Sequence, residues 1–471
     1  MRVEQIYTGC LAQGAYYIES NGEAAIIDPL REVTPYLERA AKDNAKITYI
    51  FETHFHADFV SGHVTLANTT GATIVFGPNA ETTYDAYIAA DQEEFKIGAI
   101  TLVAMHTPGH TMESTSYVLR DENGKDHALF SGDTLFLGDV GRPDLAQKTG
   151  SLTEGDLAGF LFDSLRTKIM TLADDVIVYP AHGAGSACGK NLSKETIGSI
   201  GDQKKTNYAL RADMTKEEFI KEVTDGLLPP PAYFPSNVKL NKEGYQPIDA
   251  VLKTGTTALS VEDFEKVANE TDALILDVRH QSEFIKGFIP RSIFIGIDGG
   301  FAPWVGALIK DIEQPILLVA PKGREEEVII RLSRVGFDNT LGYLDGSFES
   351  WKQTGKEIDT LRSVSAEVLA TEMKENKVPV FDIRKPGEYA NEHLVDVPSA
   401  PLDYLNNYLK DFPIDEDFYL HCAGGYRSVI ASSILKARGI HNVIDVAGGY
   451  GAIKHTDIPK TNVSTCASTL K

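Results

Sequence analysis

Residues 47–59 read ITYIFETHFHADF, an apolar and β-branched run that ends in two histidines and an aspartate. A short apolar run bounded by polar residues predicts a buried strand. Three further apolar runs end in the same way, at His110, Asp133 and His182. Ligands bind at the carboxyl ends of the strands in α/β sheets, so we expect these four segments to meet. Imidazoles and carboxylates gathered there would suit a transition metal.

The composition of the whole chain limits the classes of function. Its 471 residues predict about three domains. The net charge of −22 argues against nucleic acid or an anionic membrane as partner. No leader precedes the first strand-like run, and no apolar stretch approaches the roughly 18 residues of a membrane span, so we expect a cytoplasmic protein. No CxxC is formed by the four cysteines Cys10, Cys188, Cys422 and Cys466, which favours a reducing compartment.

The first half of the chain alternates strand-like and helical patterns, which is typical of an α/β domain. Thr34-Pro35 predicts a helix with Thr34 as its N-cap. Thr215 and Glu218 have the spacing of a capping box in a helical extension. We predict that this domain covers residues 1–250.

The second half contains an internal repeat. Leu276-Asp277-Val278-Arg279 recurs 105 residues later as Phe381-Asp382-Ile383-Arg384. Residues 317–320 likewise correspond to residues 419–422. Because each copy has its own strands and helices, we predict two small α/β domains, over residues 258–360 and 361–471.

A glycine-rich segment follows the apolar run 418–421 of the second repeat. It begins at Cys422 and continues through Ala423, Gly424, Gly425, Tyr426, Arg427 and Ser428 into a helical pattern. Such a loop directs backbone N–H groups inward and adds the positive end of the helix, which favours an anionic sulfur on the cysteine. We predict that these residues bind substrate around Cys422 and that Arg427 closes the loop through its carbonyls.

The first repeat lacks this chemistry. Ala320 stands where Cys422 stands in the second copy, and Pro321 removes a backbone donor. The acidic residues 325–327 would repel an anion. We interpret this copy as a scaffold or docking module without a reaction of its own.

The histidines and aspartates of the first domain resemble the pattern of the metallo-β-lactamase superfamily. That pattern is HxHxDH, then a histidine, a bridging aspartate and a last histidine, and the resemblance covers roughly residues 1–245. It implies an αββα sandwich. Phe59 replaces the last histidine of HxHxDH, and a phenyl ring cannot bind a metal. We therefore expect one metal ion where the related hydrolases hold two.

Two histidines and one carboxylate around one metal form the facial triad of non-haem iron oxygenases. The persulfide dioxygenase branch of the superfamily looks like this. The resemblance implies that His54, His110 and Asp133 hold one Fe(II) per chain. It also implies that the ligands and bound water are oriented by the neighbouring side chains His56, Asp58 and His182.

Two further residues near these motifs are candidates. The segment 138–144 is similar to the same branch, which implies that Arg142 grips a substrate carboxylate; the alternative is an ion pair within the loop. Cys188 lies six residues after His182. It could act as an accessory thiol in the metal pocket or be a small buried cysteine.

The Cys422 loop, together with Asp382-x-Arg384, resembles the rhodanese family across residues 361–471. The resemblance implies a persulfide on Cys422 that passes between a donor and an acceptor. We therefore predict that the whole chain is an α/β protein, with a metallo-β-lactamase sandwich followed by two rhodanese-like domains.

We therefore expect an enzyme that oxidises a low-molecular-weight thiol persulfide with O2 to sulfite and thiol. Cys422 would then transfer sulfur to the sulfite and give thiosulfate. One rival is a zinc thioester hydrolase of the glyoxalase II type, against which Phe59 argues. Another rival is a non-enzymatic sulfur-responsive adaptor, which only the repeat without cysteine favours. The identity of the carrier thiol stays open, and self-association into a homo-oligomer is expected only by analogy.

Overall fold

The computed structural model describes residues 1–145, 152–190 and 192–461. Cys466 and the last ten positions of the predicted third domain, residues 462–471, lie outside the described residues. The chain divides into two compact units. The first contains Met1–Ala250, Lys310–Ile312 and Ile330–Asp338, and the second contains Val251–Ile309, Glu313–Ile329 and Asn339–Lys471.

The first unit opens with a six-stranded sheet in the order β1-β2-β3-β4-β5-β6. Its strands are β1 (Arg2–Thr8), β2 (Gln13–Ser20), β3 (Glu23–Ile27), β4 (Lys46–Phe51), β5 (Thr73–Phe76) and β6 (Tyr87–Ile88). The helices that accompany this sheet are α1 (Thr34–Lys42) and α2 (His63–Thr70). The N-cap of α1 is Val33 and Thr34 already belongs to the helix, so the predicted N-cap is wrong by one residue.

A second six-stranded sheet follows, in the order β12-β11-β10-β9-β8-β7. Its strands are β7 (Glu94–Ile97), β8 (Ile100–His106), β9 (Thr115–Arg120), β10 (Asp126–Gly132), β11 (Ile177–Pro180) and β12 (Gly198–Ser199). The helices here are α3 (Glu154–Thr167), α4 (Ile200–Thr206), α5 (Lys216–Thr224), α6 (Phe234–Glu243) and α7 (Ile248–Gly255), with short 3-10 turns at Ile169–Thr171 and Tyr208–Leu210. The capping box of Thr215 and Glu218 at the start of α5 is confirmed.

The two sheets face each other across an aromatic core. Phe51 from the first sheet packs with Tyr117 from the second, and Tyr16 contacts Phe130 edge to face with ring centroids 5.0 Å apart. The outer face of the first sheet is covered by α1 and α2, and that of the second by α3 and α5. Because both faces of each sheet are covered, central strands such as β2, β3 and β9 are buried almost throughout, whereas the edge strands β1, β6, β7 and β12 are partly exposed. These layers form the αββα sandwich that the sequence predicts.

Each sequence repeat in the second unit has its own parallel sheet. The first sheet, in the order β13-β17-β16-β14-β15, contains β13 (Ala258–Leu259), β14 (Leu274–Asp277), β15 (Ile293–Phe294), β16 (Ile316–Val319) and β17 (Thr340–Leu344). Its helices are α8 (Val261–Thr271), α9 (Gln281–Phe284), α10 (Phe301–Leu308), α11 (Glu325–Ser333) and α12 (Ser347–Gln353).

The second sheet has the order β18-β21-β20-β19. It contains β18 (Arg362–Val364), β19 (Val380–Asp382), β20 (Phe418–His421) and β21 (Val443–Val446), with α13 (Ala366–Glu375), α14 (Pro386–Asn391), α15 (Arg427–Ala437), α16 (Gly449–Ile453) and a 3-10 turn at Leu402–Asn407. Four strands of the first sheet have the same order as these four, which confirms the predicted duplication.

The Asp-x-Arg motif has the same role in both copies. Arg279 forms a buried ion pair with Asp277, and Arg384 forms the same pair with Asp382. Each arginine also donates to a carbonyl eight residues further along the chain. The motif therefore ties the end of a strand to the following helix. Within the described part of the chain, no helix is long and apolar enough to span a bilayer.

Candidate metal centre and sulfur-transfer loop

Three buried candidate ligand residues of the first unit converge at the carboxyl ends of their strands. His54 follows β4, His110 follows β8 and Asp133 follows β10. The Nε2 atoms of His54 and His110 lie 3.8 Å and 3.5 Å from Oδ2 of Asp133. One ligand atom from each residue lies within 4.8 Å of the others. The fold thus brings together the residues that the strand-end argument selected.

Hydrogen bonds at Nδ1 orient the imidazole rings of both His110 and His54. Nδ1 of His110 donates to the carbonyl of Arg142 at 2.8 Å. Nδ1 of His54 lies 3.0 Å from Oγ1 of Thr53, which itself donates to Asp28 at 2.8 Å. Because the Thr53 proton is used there, Nδ1 of His54 must be the donor and Nε2 stays free to ligate. Such bonds fix the tautomer and orientation of a metal-binding histidine. Sequence reasoning missed Thr53 and Asp28.

Asp133 has one oxygen bonded and one oxygen without a partner. Oδ1 accepts from Nδ1 of His182 at 2.7 Å, whereas the buried Oδ2 has no hydrogen-bond partner. Burial raises the pKa of Asp133, but His182, His54 and His110 outweigh burial and hold that pKa well below its usual range. A buried carboxylate oxygen without a partner is costly. A cation between Oδ2 and the two Nε2 atoms would remove that cost, so the donor set fits a transition metal.

The pKa of the His54 ring also favours ligation. Burial, followed by the neighbouring His56, lowers the pKa of His54 well below its usual value. A histidine must be neutral to bind a metal.

The three residues expected to support the ligands occupy two different positions. Nε2 of His182 lies 2.8 Å from Oδ2 of Asp58, so Asp58, His182 and Asp133 form a continuous chain. His56 instead points to an acidic pocket, with Nε2 3.0 Å from Oδ1 of Asp28. The ring of Phe59 packs on His56 with centroids 4.2 Å apart. Asp58 and His182 therefore adjoin Asp133 directly, whereas the ring of His56 lies beside that of His54, with centroids 4.2 Å apart, and turns its Nε2 to Asp28.

Cys188 reaches this region, as its position after His182 suggested. Its Sγ and one ligand atom each of Asp58 and His182 lie within 4.8 Å of one another. Burial, followed by Asp58 and Asp133, raises the pKa of the Cys188 thiol well above its usual value. The isolated thiol is therefore protonated at neutral pH. Its place beside Asp58 and His182 nevertheless adds a third candidate metal donor to that pair.

Arg142 forms the ion pair within the loop that the sequence left as the alternative. Its guanidinium makes a bidentate pair with Asp144 at 2.6 and 2.7 Å. It also donates to the carbonyls of Ala187 and Leu228 at 3.2 and 2.6 Å. Because these bonds occupy the planar fork, Arg142 does not present it to a substrate carboxylate in this structure. Its backbone carbonyl, rather than its side chain, contacts the candidate metal ligand His110.

In the second unit, Cys422 lies at the carboxyl end of β20, at the start of the predicted loop. Its buried Sγ accepts from the N–H of Gly425 at 3.1 Å and lies 3.5 Å from Oγ of Ser428. Gly425 has φ +88°, a backbone conformation that glycine adopts without strain. A Cβ at Gly424 would meet no atom within 4 Å, so the loop is open at that point.

The glycine-containing segment 448–451 supports the loop through backbone hydrogen bonds. The N–H groups of Tyr450 and Gly451 donate to the carbonyls of Cys422 and Ala423 at 2.6 and 2.9 Å. A Cβ at Gly449 would lie only 2.3 Å from the Cys422 carbonyl oxygen. These residues are distant in sequence from the cysteine, and sequence reasoning missed them.

The side chains of Tyr426 and Arg427 leave the loop. Arg427 forms a bidentate pair with Glu388 at 2.6 and 2.8 Å, so the prediction that it closes the loop through carbonyls is not what the structure shows. The hydroxyl of Tyr426 donates to the carbonyl of Gly296 at 2.7 Å. In the first repeat, Arg324 of the corresponding loop pairs with Asp298 and Glu327.

Comparisons with known proteins agree with this architecture. The model of the metallo-beta-lactamase superfamily matches residues 8–182, and the model of the rhodanese-like domain matches residues 260–354 and 365–456. A crystal structure of a metallo-beta-lactamase from Staphylococcus aureus is 30% identical, covers 73% of this chain and 98% of its own, and has a TM-score of 0.64.

Similar curated proteins fall into two groups. The mitochondrial persulfide dioxygenase of Homo sapiens is 28% identical over 211 residues, which are 44% of this chain and 74% of that protein. A probable hydroxyacylglutathione hydrolase of Schizosaccharomyces pombe is 33% identical over 162 residues, which are 34% of this chain and 58% of that protein. The residues matched by the metallo-beta-lactamase superfamily model include the candidate metal ligands His54, His110 and Asp133. The chain therefore belongs to the metallo-beta-lactamase superfamily, and two rhodanese-like domains follow its metallo-beta-lactamase domain.

Proposed function

We propose that this protein is a non-haem iron persulfide dioxygenase coupled to rhodanese sulfur transfer. The observation that carries the proposal is the set of His54, His110 and Asp133, with two free imidazole nitrogens facing an unpartnered carboxylate oxygen. Similarity to the human persulfide dioxygenase supports it. We assign the oxidation to residues 1–250 and the sulfur transfer to residues 361–471, and we assign no reaction to residues 258–360.

The residues of the first site would hold one Fe(II), which supplies O2 activation when bound. Nε2 of His54, Nε2 of His110 and Oδ2 of Asp133 are the ligand atoms. Thr53 and the Arg142 carbonyl hold the two rings, and His182 holds the carboxylate. Three protein ligands leave positions for the substrates. One persulfide RSSH, one O2 and one water give one thiol RSH, sulfite and two protons.

The residues of the second site would carry the sulfane sulfur. The thiolate of Cys422 attacks the outer sulfur of a second persulfide, the donor S–S bond breaks, and the thiol leaves. Sulfite then takes the outer sulfur from the Cys422 persulfide, which gives thiosulfate and restores the thiolate. The N–H of Gly425 and the N-terminus of α15 stabilise the anionic sulfur through both steps.

The test is the metal content of anaerobically purified protein, measured together with O2 uptake on adding glutathione persulfide or coenzyme A persulfide. We expect about one iron per chain and persulfide-dependent O2 consumption. The Cys422→Ser variant serves as the matched control, since it should keep the iron and the O2 consumption. Iron-free protein that consumes no O2 after reconstitution with Fe(II) would contradict the proposal.

A second candidate function is a zinc thioester hydrolase, which one observation favours. Asp58, His182 and Cys188 form a second group of three buried donors beside the first. Zinc prefers nitrogen and sulfur ligands, and two adjacent zinc ions can cleave a thioester. About two zinc ions per chain and hydrolysis of a hydroxyacylglutathione would favour this function. Loss of the second zinc in Cys188→Ala would assign it to that group.

A further inference from the structure

The side chain of Tyr426 connects the sulfur-transfer loop to the repeat that lacks the cysteine. Its hydroxyl donates to the Gly296 carbonyl at 2.7 Å. Its ring lies edge to face with Phe294, with centroids 5.9 Å apart. The backbone of Gly299 also packs closely against the ring: a Cβ built on Gly299 would lie only 2.2 Å from it. All three partners belong to the first repeat.

The helix that follows Tyr426 continues this interface. The N–H of Phe294 in β15 donates to Oγ of Ser433 in α15 at 3.0 Å. One turn further on, Nζ of Lys436 lies 3.0 Å from Oδ1 of Asp359. The first repeat therefore holds α15 along its length, from the residue at its N-cap to its last turn.

The bonds from Tyr450 and Gly451 hold the start of the loop at Cys422 and Ala423, but they do not reach the following residues 424–426. Gly424 and Gly425 have no side chains, and the space around Gly424 is open. Arg427 pairs with Glu388 rather than with the loop carbonyls. The N–H that donates to the Cys422 sulfur belongs to Gly425, the residue directly before Tyr426. A displacement of the Tyr426 ring would therefore move the donor that stabilises the anionic sulfur.

We propose that Tyr426 is a positioning residue through which the repeat without cysteine sets the geometry of the sulfur-transfer loop. This inference rests on the proposed sulfur transfer at Cys422 and gives the first repeat a role in it. Tyr426 acts through its neighbour Gly425 and does not itself touch the transferred sulfur.

The test is a substitution in the first repeat, away from the reacting residues. Gly299→Ala places a methyl group against the Tyr426 ring, whereas the matched control Gly300→Ala meets only Trp304 at 3.4 Å. We expect Gly299→Ala to lower kcat for sulfur transfer from thiosulfate to cyanide about tenfold. The pH profile of Cys422 alkylation by iodoacetamide should also move to higher pH, because the N–H of Gly425 no longer faces the sulfur.

Tyr426→Phe removes only the hydroxyl bond and should lower kcat by roughly threefold to fivefold, with thermal unfolding confirming that both variants fold. A kcat and an alkylation profile in Gly299→Ala equal to those of Gly300→Ala would overturn the inference. If the wild-type protein itself transferred no sulfur, that result would refute the proposed function instead. The alkylation profile would then still test the positioning role, because it needs no turnover.

Discussion

At the scale of single residues, Asp133 shows most directly how the backbone orients a candidate metal ligand. The register between β10 and β11 shifts between Phe130 and Gly132, directly before this aspartate. Gly132 has φ +53°, and a Cβ there would lie 2.7 Å from Thr53. A bulge of this kind re-aims the following side chain. It turns Asp133 inward, where His182 holds one oxygen and the other faces His54 and His110.

We expect Asp133→Asn to lose bound iron. Asparagine keeps the shape of the side chain but removes the negative charge and puts an amide NH2 in place of one oxygen. Metal affinity should fall by at least 10- to 100-fold, as for the loss of a residue that supports a ligand. Iron per chain and O2 uptake with a thiol persulfide measure the effect. Asp175→Asn, at an exposed ion pair with Lys125, is the control and should behave as wild type. Full iron content in Asp133→Asn would remove Asp133 from the ligand set.

At the scale of elements, the candidate ligand residues lie on short connections that pack tightly against one another. A Cβ at Gly141 would lie 2.0 Å from the Asp133 carbonyl oxygen and 2.9 Å from Nδ1 of His110. A Cβ at Gly109 would lie 2.3 Å from the backbone nitrogen of Leu161 in α3. The loops after β8 and β10 therefore depend on each other and on α3. Changes that spare every ligand side chain can still disturb the site.

Gly141→Ala tests this dependence. The added methyl group must push apart the backbone of Asp133 and the ring of His110, because neither the carbonyl nor the buried ring can yield. We expect a loss of bound iron and about 100-fold lower O2 uptake, consistent with the cost of small displacements at an active site.

The matched control is Gly155→Ala in the first turn of α3, where a Cβ would meet Thr153 at 3.7 Å, an ordinary van der Waals distance. Alanine is the better helix former, so this variant should be as stable as wild type or slightly more stable. If Gly141→Ala bound iron and consumed O2 as well as Gly155→Ala does, the close packing of the two loops would not be needed for iron binding or O2 consumption.

At the scale of the whole molecule, one chain carries two sites whose proposed reactions share sulfite. The first site would release sulfite, and the second would consume it together with a sulfane sulfur. Because the net charge is −22, the anionic substrates of these proposed reactions would have to approach against the overall charge of the protein. Local groups such as the N–H of Gly425 and the N-terminus of α15 therefore have to supply the attraction.

Cys422→Ser should separate the two reactions. The hydroxyl of serine cannot carry a sulfane sulfur, whereas the proposed metal ligands in the other unit are unchanged. We expect O2 uptake close to that of wild type, with sulfite replacing thiosulfate as the main product. Product analysis by thiol-reactive labelling and chromatography would measure the ratio. An unchanged thiosulfate yield would show that Cys422 does not couple the two steps.

The sequence by itself determined the fold class, the duplication and the residue types that gather at the strand ends. These follow from local information: an apolar run predicts a strand, and its last residue predicts which side chain stands at the edge of the sheet. His54, His110 and Asp133 could be selected in this way without knowing any distance. The replacement of Cys422 by Ala320 in the first repeat was equally visible, because it needs only an alignment of the two copies.

Only the tertiary structure decided which partner each long polar side chain takes. Arg142 pairs with Asp144 and the Leu228 carbonyl, and Arg427 pairs with Glu388, 39 residues away. Tyr426 reaches Gly296, 130 residues away. Such side chains have several donors or a long reach, so their partners depend on which segments the fold brings near. Spacing along the chain does not encode that choice, whereas it does encode where a strand ends.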